Sequence, residues 1–278
     1  MTQQWEKRLA LDFENKSPLS RTTYASVMRK FSPKEWSKWE VLSFLKELKD
    51  RNYSSSYRRF CYYVIKKRFE LEEKPWPFNS ARGNVPVVDV SELNTPVLDS
   101  KSIAQMVAWA KDCQDIQIQA LISLFTIYGL RRTEIVRIEK DDIERDSEGD
   151  WLILVKTAKG GERRKHLVPK EIVDLLQEYS FPSLSLAWLS QLFNKICRWS
   201  GIAKNKRQGW HSIRRSLATE LEMKAPLMLV WDFLRWKKSA LASTMGLSPM
   251  LGTYFHKEPK EIDREIFKIH PFLPFWRA

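Results

Sequence analysis

The sequence predicts a mainly α-helical protein with one small β-hairpin, divided into two domains. Apolar residues recur at helical spacing through most of the chain. One segment, Trp151 to Pro169, reads as a hairpin: an apolar strand from Trp151 to Val155, a turn at Lys159-Gly160-Gly161 and a return strand ending at Pro169. Between them in the chain, Pro75, Pro77, Pro86 and Pro96 interrupt a stretch with little periodicity, which reads as a linker. The expected organisation is a helical domain over 1–75, a linker over 76–97 and a second domain over 98–278.

The first domain is read from its caps. Ser32 and Pro33 suit the N-cap and first position of a helix carrying Trp36, Trp39, Leu42, Phe44, Leu45 and Leu48. The next helix, from Ser54, buries Phe60, Val64, Ile65 and Phe69 and turns Arg58, Arg59, Lys66 and Lys67 outward. "RTTYASVMRKF" and the opening residues supply two more. The second domain opens with Asp99 or Ser100 as a cap. The apolar "IQALISLFTI" must be buried, and Gly129 suits the left-handed residue that ends such a helix. The chain after the hairpin is helical, with breaks at Phe181-Pro182, Gly201, Pro226, Pro249 and Pro259.

Composition narrows the function. Hydrophobic content of 43% and charged content of 29% are ordinary for a soluble globular chain of 278 residues. A formal charge of +13 favours a polyanionic partner, nucleic acid first and an anionic membrane second. No apolar run approaches the ~20 residues of a membrane span, and "MTQQWEKRLA" has no apolar leader core. Cys61, Cys113 and Cys197 are odd in number and widely spaced, which fits reduced thiols in a cytoplasmic protein better than a disulfide framework or metal site.

Four short segments carry chemistry. "YGLRRTEI" sets Arg131 at a helix start with Glu134 three residues on, an arrangement suited to an oxyanion or phosphate. The plain alternative is a surface pair. "WHSIRRSLATELEMK" puts Ile213, Leu217 and Leu221 on one face, Arg214 at its edge, and Arg215 toward solvent. His211 precedes Arg214 by three positions, so both can address one ligand. Lys159 stands at a hairpin tip, where a solvated turn lysine is the simpler reading. Tyr254, in "LGTYFHKE", alternatively is a packed aromatic.

Taken together and in this order, Gly129-Leu130-Arg131 with Glu134, Lys159, His211 with Arg214, Trp236 and Tyr254 resemble the tyrosine recombinase (phage-type integrase) family. The resemblance covers roughly residues 98–258, with a texture closest to integrases of archaeal viruses and plasmids. It implies a helical core-binding domain followed by a catalytic domain. It implies that Arg131 and Arg214 neutralise a pentavalent phosphorane, that Tyr254 attacks, and that Lys159 protonates the departing 5′-oxygen. His211 would accept the tyrosine proton or hydrogen-bond the phosphate, Trp236 would donate its indole N–H, and Glu134 would orient the arginines. The product is a 3′-phosphotyrosine link, so no cofactor and no metal are expected. Trp236 and Tyr254 stand eighteen positions apart, longer than the family's usual interval. Either the intervening loop is longer here or Trp236 is not the matching residue.

Arg58, Arg59, Lys66, Lys67, Lys204, Lys206 and Arg207 are the expected clamp on double-stranded DNA. The resemblance further implies a tetrameric synapse on DNA, with weaker association or a monomer without it. The tail, 260–278, has an apolar helix face and ends "PFLPFW". It is expected either to pack on its own domain or to pass to a neighbouring protomer, and in the second case its deletion spares single-site binding. Type IB topoisomerases share this chemistry. A catalytically dead DNA-binding protein, or a basic structural protein, would account for the charge but not for the constellation.

Overall fold

A computed structural model describes residues 4–15, 18–78, 85–89, 96–157, 163–205, 207–236 and 257–277. Lys159, Lys206 and Tyr254 lie outside the described residues. By internal contacts the chain divides into Met1–Asn94 and Thr95–Ala278.

In the first unit, α1 (Gln4–Asp12), α2 (Pro18–Lys30) and α3 (Lys38–Asp50) pack with α4 (Ser55–Leu71). α3 starts five residues later than Pro33 suggests. Ser37, not Ser32, is its N-cap and accepts from the Glu40 N–H at 3.4 Å. The later start turns Val41, Leu45 and Leu48 inward, while Trp39 faces outward at 76% exposure. Trp76 and Phe78, read from sequence as linker, belong to this unit's aromatic core. Trp76 meets Phe69 edge-on at 5.0 Å and Tyr62 at 5.3 Å. Lys67, an expected DNA contact, is paired with Asp12 and Glu70, whereas Arg59 is exposed and Arg58 and Lys66 are half-buried.

In the second unit, α5 (Ser100–Asp112) is capped by Asp99, which accepts from the Ser102 N–H at 2.6 Å. α6 (Ile116–Tyr128) is buried without a break from Ala120 to Tyr128. It ends at Gly129, whose φ of +56° is the left-handed cap expected of it. After the short α7 (Arg132–Ile135) comes an antiparallel sheet of β1 (Ile143–Arg145), β2 (Trp151–Val155) and β3 (Arg164–Leu167), in that order. The register pairs Ile143 with Ile153 and Leu152 with Leu167. Then follow α8 (Val173–Glu178), α9 (Leu186–Trp199), α10 (Trp210–Glu222), α11 (Leu227–Phe233) and α12 (Pro259–Ile269).

The tail packs on its own domain. α12 lies against β3 and α11, and Phe272, Leu273 and Trp276 insert beside α5 and α6. His270 is the pin. Its Nδ1 accepts the N–H groups of Phe272 (3.1 Å) and Leu273 (3.0 Å), so its proton sits on Nε2, which donates to the Ile127 carbonyl at 2.9 Å.

Burial, opposed by its hydrogen bond to Ile127, pushes the His270 pKa down to about 4. His166 is likewise buried and lowered to about 4. Both folded-state values lie below the unfolded value near 6.5. The unfolded chain therefore takes up protons first, and stability falls as pH drops from about 6.5 toward about 4. Each histidine should contribute about 3 kcal/mol to that loss, at roughly 1.4 kcal/mol per unit. Melting temperature measured from pH 7.5 to 4.5 should fall steeply, and His270→Gln should flatten the profile. An unchanged profile in the variant would refute the assignment.

Candidate active site

The site grows from the buried end of α6. The last carbonyls of a helix lack internal partners, and here water cannot serve them. Three consecutive carbonyls each receive a side chain from a different element. His270 donates to Ile127, Arg235 Nη2 to Tyr128 at 3.2 Å, and Arg214 Nη1 to Gly129 at 2.6 Å. The negative end of the helix dipole favours cations there. Gly129 is needed twice over, because besides its φ a Cβ would meet Leu217, Arg214 and Leu234 at 3.2–3.3 Å.

Arg131 is the N-cap residue of α7, with extended backbone. Glu134 holds it at two points, accepting from the Arg131 backbone N–H at 2.8 Å and from Nη1 at 2.6 Å. Glu134 is fully buried. Burial opposes its ionisation, but Arg235, the Arg131 N–H and the guanidinium groups of Arg214 and Arg131 outweigh it and hold the carboxyl below the usual carboxylate range. The Arg131 side chain keeps 28% exposure, so one end is fixed and the other meets solvent.

Arg214 was expected at the edge of the apolar face of α10. It is buried, at 2% exposure. Its Nη1 and Nη2 donate to the main-chain carbonyls of Gly129 and Leu234, and its guanidinium lies 5.8 Å from the Trp236 ring. Among the described residues no carboxylate pairs with it. Burial, reinforced by Arg235 and Arg131, lowers its pKa well below the arginine norm. His211, one turn earlier, reaches solvent. Partial loss of water, then the charges of Arg215, Arg214 and Arg131, hold its pKa at about 4, so the ring is neutral near pH 7. Arg131, Glu134, His211, Arg214 and Trp236 thus gather around the end of α6.

Residues 96–244, more than half of the chain, match the phage integrase family. The chain belongs to that family. Its activity is the site-specific cleavage and rejoining of DNA by a tyrosine nucleophile. No curated protein matches this recombinase. Among solved structures it is similar to the XerH site-specific recombinase bound to palindromic difH substrate, at 19% identity and a TM-score of 0.63, over 94% of this chain and 84% of that one. It is also similar to a lambda integrase dimer bound to a COC′ core site, at 14% identity and a TM-score of 0.64, over 84% and 94% of the two chains. The Tn1549 transposon integrase in complex with transposon right end DNA gives 11% identity and a TM-score of 0.58, over 96% and 99%. Among the described residues no helix of the recombinase is long and apolar enough to cross a membrane.

Beside His211 the recombinase has an open recess of about 400 Å³. Its lining includes Arg132, Lys204, Arg207 and Arg215 and, among the described residues, no carboxylate. Lys204 and Arg207 are thereby joined to the His211 side of α10, and Arg215, though turned from Arg214, faces this recess. The residue missed by the sequence reading is Arg235, buried beside Trp236 and bonded to Glu134 at 3.3 Å.

Proposed function

We propose that this recombinase cuts one strand of duplex DNA with Tyr254 and keeps the strand as a 3′-phosphotyrosine ester. The observation that carries the reading is Arg214, a buried guanidinium tied to neutral carbonyls with no carboxylate partner among the described residues. A fixed cation of that kind suits an anion from outside the chain. Arg131, braced by Glu134, supplies the second donor to the scissile phosphate. The tyrosine oxygen attacks phosphorus, the bond to the 5′-oxygen breaks, and Lys159 gives that oxygen a proton. The phenol proton passes to His211, whose basicity rises once a bound phosphate offsets the arginine field. Trp236 walls the pocket and offers its indole N–H. The second strand of DNA reverses the step, so bond energy is conserved.

The basic recess with Lys204, Arg207 and Arg215, together with Lys206 and the α4 residues Arg58, Arg59 and Lys66, would follow the duplex backbone. Among similar structures, lambda integrase forms a dimer on a core site and a tetramer bound to a Holliday junction, which supports assembly of this chain on DNA as a tetrameric synapse. Integration of viral or plasmid DNA in the cytoplasm of a prokaryotic host fits this chemistry, as does exchange of the 260–278 tail between protomers.

The test is incubation with a nicked suicide duplex followed by denaturing electrophoresis. The wild type should give a protein–DNA adduct that survives detergent. Tyr254→Phe should give none and still shift the duplex in a native gel, since only the nucleophilic oxygen is lost. Adducts from Tyr254→Phe would refute the nucleophile, and relaxation of supercoils without strand exchange would point to topoisomerase activity.

A further inference from the structure

Arg235 occupies a conformation and a place that no ordinary surface arginine holds. Its φ is +56°. It follows α11 in a left-handed cap, with its N–H on the Asp232 carbonyl and that of Trp236 on the Trp231 carbonyl, both at 2.9 Å. Asn52, Glu73, Gln114 and Phe181 also have positive φ, but each of them is at least partly exposed. Arg235 is 3% exposed, and both terminal nitrogens are engaged. Nη2 reaches the Tyr128 carbonyl (3.2 Å) and Glu134 Oε2 (3.3 Å), and Nη1 reaches the Phe233 carbonyl (3.2 Å) and His166 Nε2 (2.7 Å). A cap position that favours glycine has accepted a large cation, and the burial of that cation is disfavoured in its own right.

The chain of contacts runs on. Arginine only donates, so His166 Nε2 accepts and the imidazole proton sits on Nδ1. That N–H donates to Asp263 Oδ1 at 3.2 Å. Asp263 is fully buried on α12 and also accepts from Arg164 Nη2 and the Leu167 N–H, both at 2.8 Å. At the other end, Glu134 Oε2 is shared between Arg235 and the Arg131 backbone N–H, while Oε1 takes the Arg131 side chain. One run of side chains therefore joins the C-terminal helix to the solvent-facing catalytic arginine: Asp263, His166, Arg235, Glu134, Arg131. Arg235 also shares the end of α6 with Arg214, whose second carbonyl acceptor is Leu234, the residue before Arg235.

We propose that Arg235 is a positioning residue for Arg131, and that Asp263 on the C-terminal helix sets it through His166. The inference rests on the recombinase chemistry proposed above. Without Arg235 the Glu134 carboxylate loses one of its three N–H donors and its buried counter-charge, and it no longer fixes the Arg131 guanidinium. Without the Asp263 charge, Arg235 alone holds the His166 proton on Nδ1, and the preference that keeps Nε2 an acceptor for Arg235 is weakened.

The test uses the full-length protein, Arg235→Gly and Asp263→Asn. Glycine accepts φ +56° without strain, so the first variant leaves the cap intact, and asparagine preserves the shape of Asp263. Three quantities are read: duplex affinity, the single-turnover rate of adduct formation at saturating protein, and the ¹⁵N signals of His166. Each variant should bind duplex within about threefold of wild type and cleave at least ~10-fold more slowly. The double variant should be no slower than the slower single one, because both act through one route. In the wild type His166 should be the neutral Nδ1–H tautomer, and Asp263→Asn should shift that population. A folded Arg235→Gly that cleaves at the wild-type rate would overturn the proposal, as would independent multiplication of the two effects. Failure of Arg235→Gly to fold would make its role structural and overturn it as well. If the wild type forms no adduct, the recombinase reading fails. The His166 signals then still decide the relay, which an Nε2–H tautomer or indifference to Asp263→Asn would refute.

Discussion

Replacing Arg214 with alanine should slow single-turnover adduct formation by on the order of 10²–10³-fold, the usual consequence of removing one preorganised donor from a developing anion. Its guanidinium is held on the Gly129 and Leu234 carbonyls and against Trp236, so its position is settled before DNA arrives. Alanine also leaves two buried carbonyls without partners, at about 1–3 kcal/mol each, and some loss of melting temperature will accompany the slower rate. Arg214→Lys separates the two effects. An ammonium keeps the charge but cannot span both carbonyls and a phosphate in one plane. That variant should therefore stay folded and remain slow. Arg215→Ala should behave differently, weakening duplex binding through the basic recess while leaving the saturated rate nearly unchanged. Equal rate losses at Arg214 and Arg215 would show that burial of Arg214 is structural and that its charge does not serve the phosphate.

Much of this site is legible in the sequence because local rules govern it. Gly129 ends an apolar helix, so the position of Arg131 follows from chain geometry. The three-residue step from His211 to Arg214 follows from the helical period. Asp99 caps α5 through an N-terminal signal of the expected kind. The illegible parts are those where two distant segments decide the outcome. Arg235 sits beside Trp236 in "FLRWKK", where nothing local marks it for burial, and its partner Glu134 is 101 positions away. A weak signal existed in β3, where period-two alternation puts Arg164 and His166 on one face. That face is the buried one, and its charge is accommodated because Asp263 and Asp232 lie against it. Asp263 shares a helical face with Ile266 and Phe267, so its inward direction follows from spacing, but not its partners. Ser32-Pro33 and Ser37 are both credible caps for α3, and tertiary packing of Val41, Leu45 and Leu48 selects the second.

Deleting the chain from Lys260 onward should unfold the catalytic domain. The sequence alone allowed a truncated protein that still binds a single site, but the packed tail argues otherwise. Ile262, Ile266, Phe272, Leu273 and Trp276 are each 5% exposed or less. At about 1.5–3 kcal/mol for each buried apolar side chain, their loss is comparable with the whole stability of an ordinary domain, about 5–15 kcal/mol. The deletion also strips Asp263 from Arg164 and the Leu167 N–H, His270 from the Ile127 carbonyl, and the Trp276 indole from Thr126. Circular dichroism and a native gel shift should report lost cooperative melting and lost duplex binding, and a truncated protein that melts at the wild-type temperature would refute the argument. The same packing makes tail exchange testable. If a neighbour's tail is to fill this groove during synapsis, the groove must accept residues 260–278 without covalent continuity. A synthetic peptide of that segment, added to the truncated protein, should then restore both melting and binding, and a peptide carrying Asp263→Asn and Trp276→Ala should restore neither. If the intact peptide fails at concentrations far above those of a protomer in a synapse, the tail is a fixed part of its own domain and exchange is not available to it.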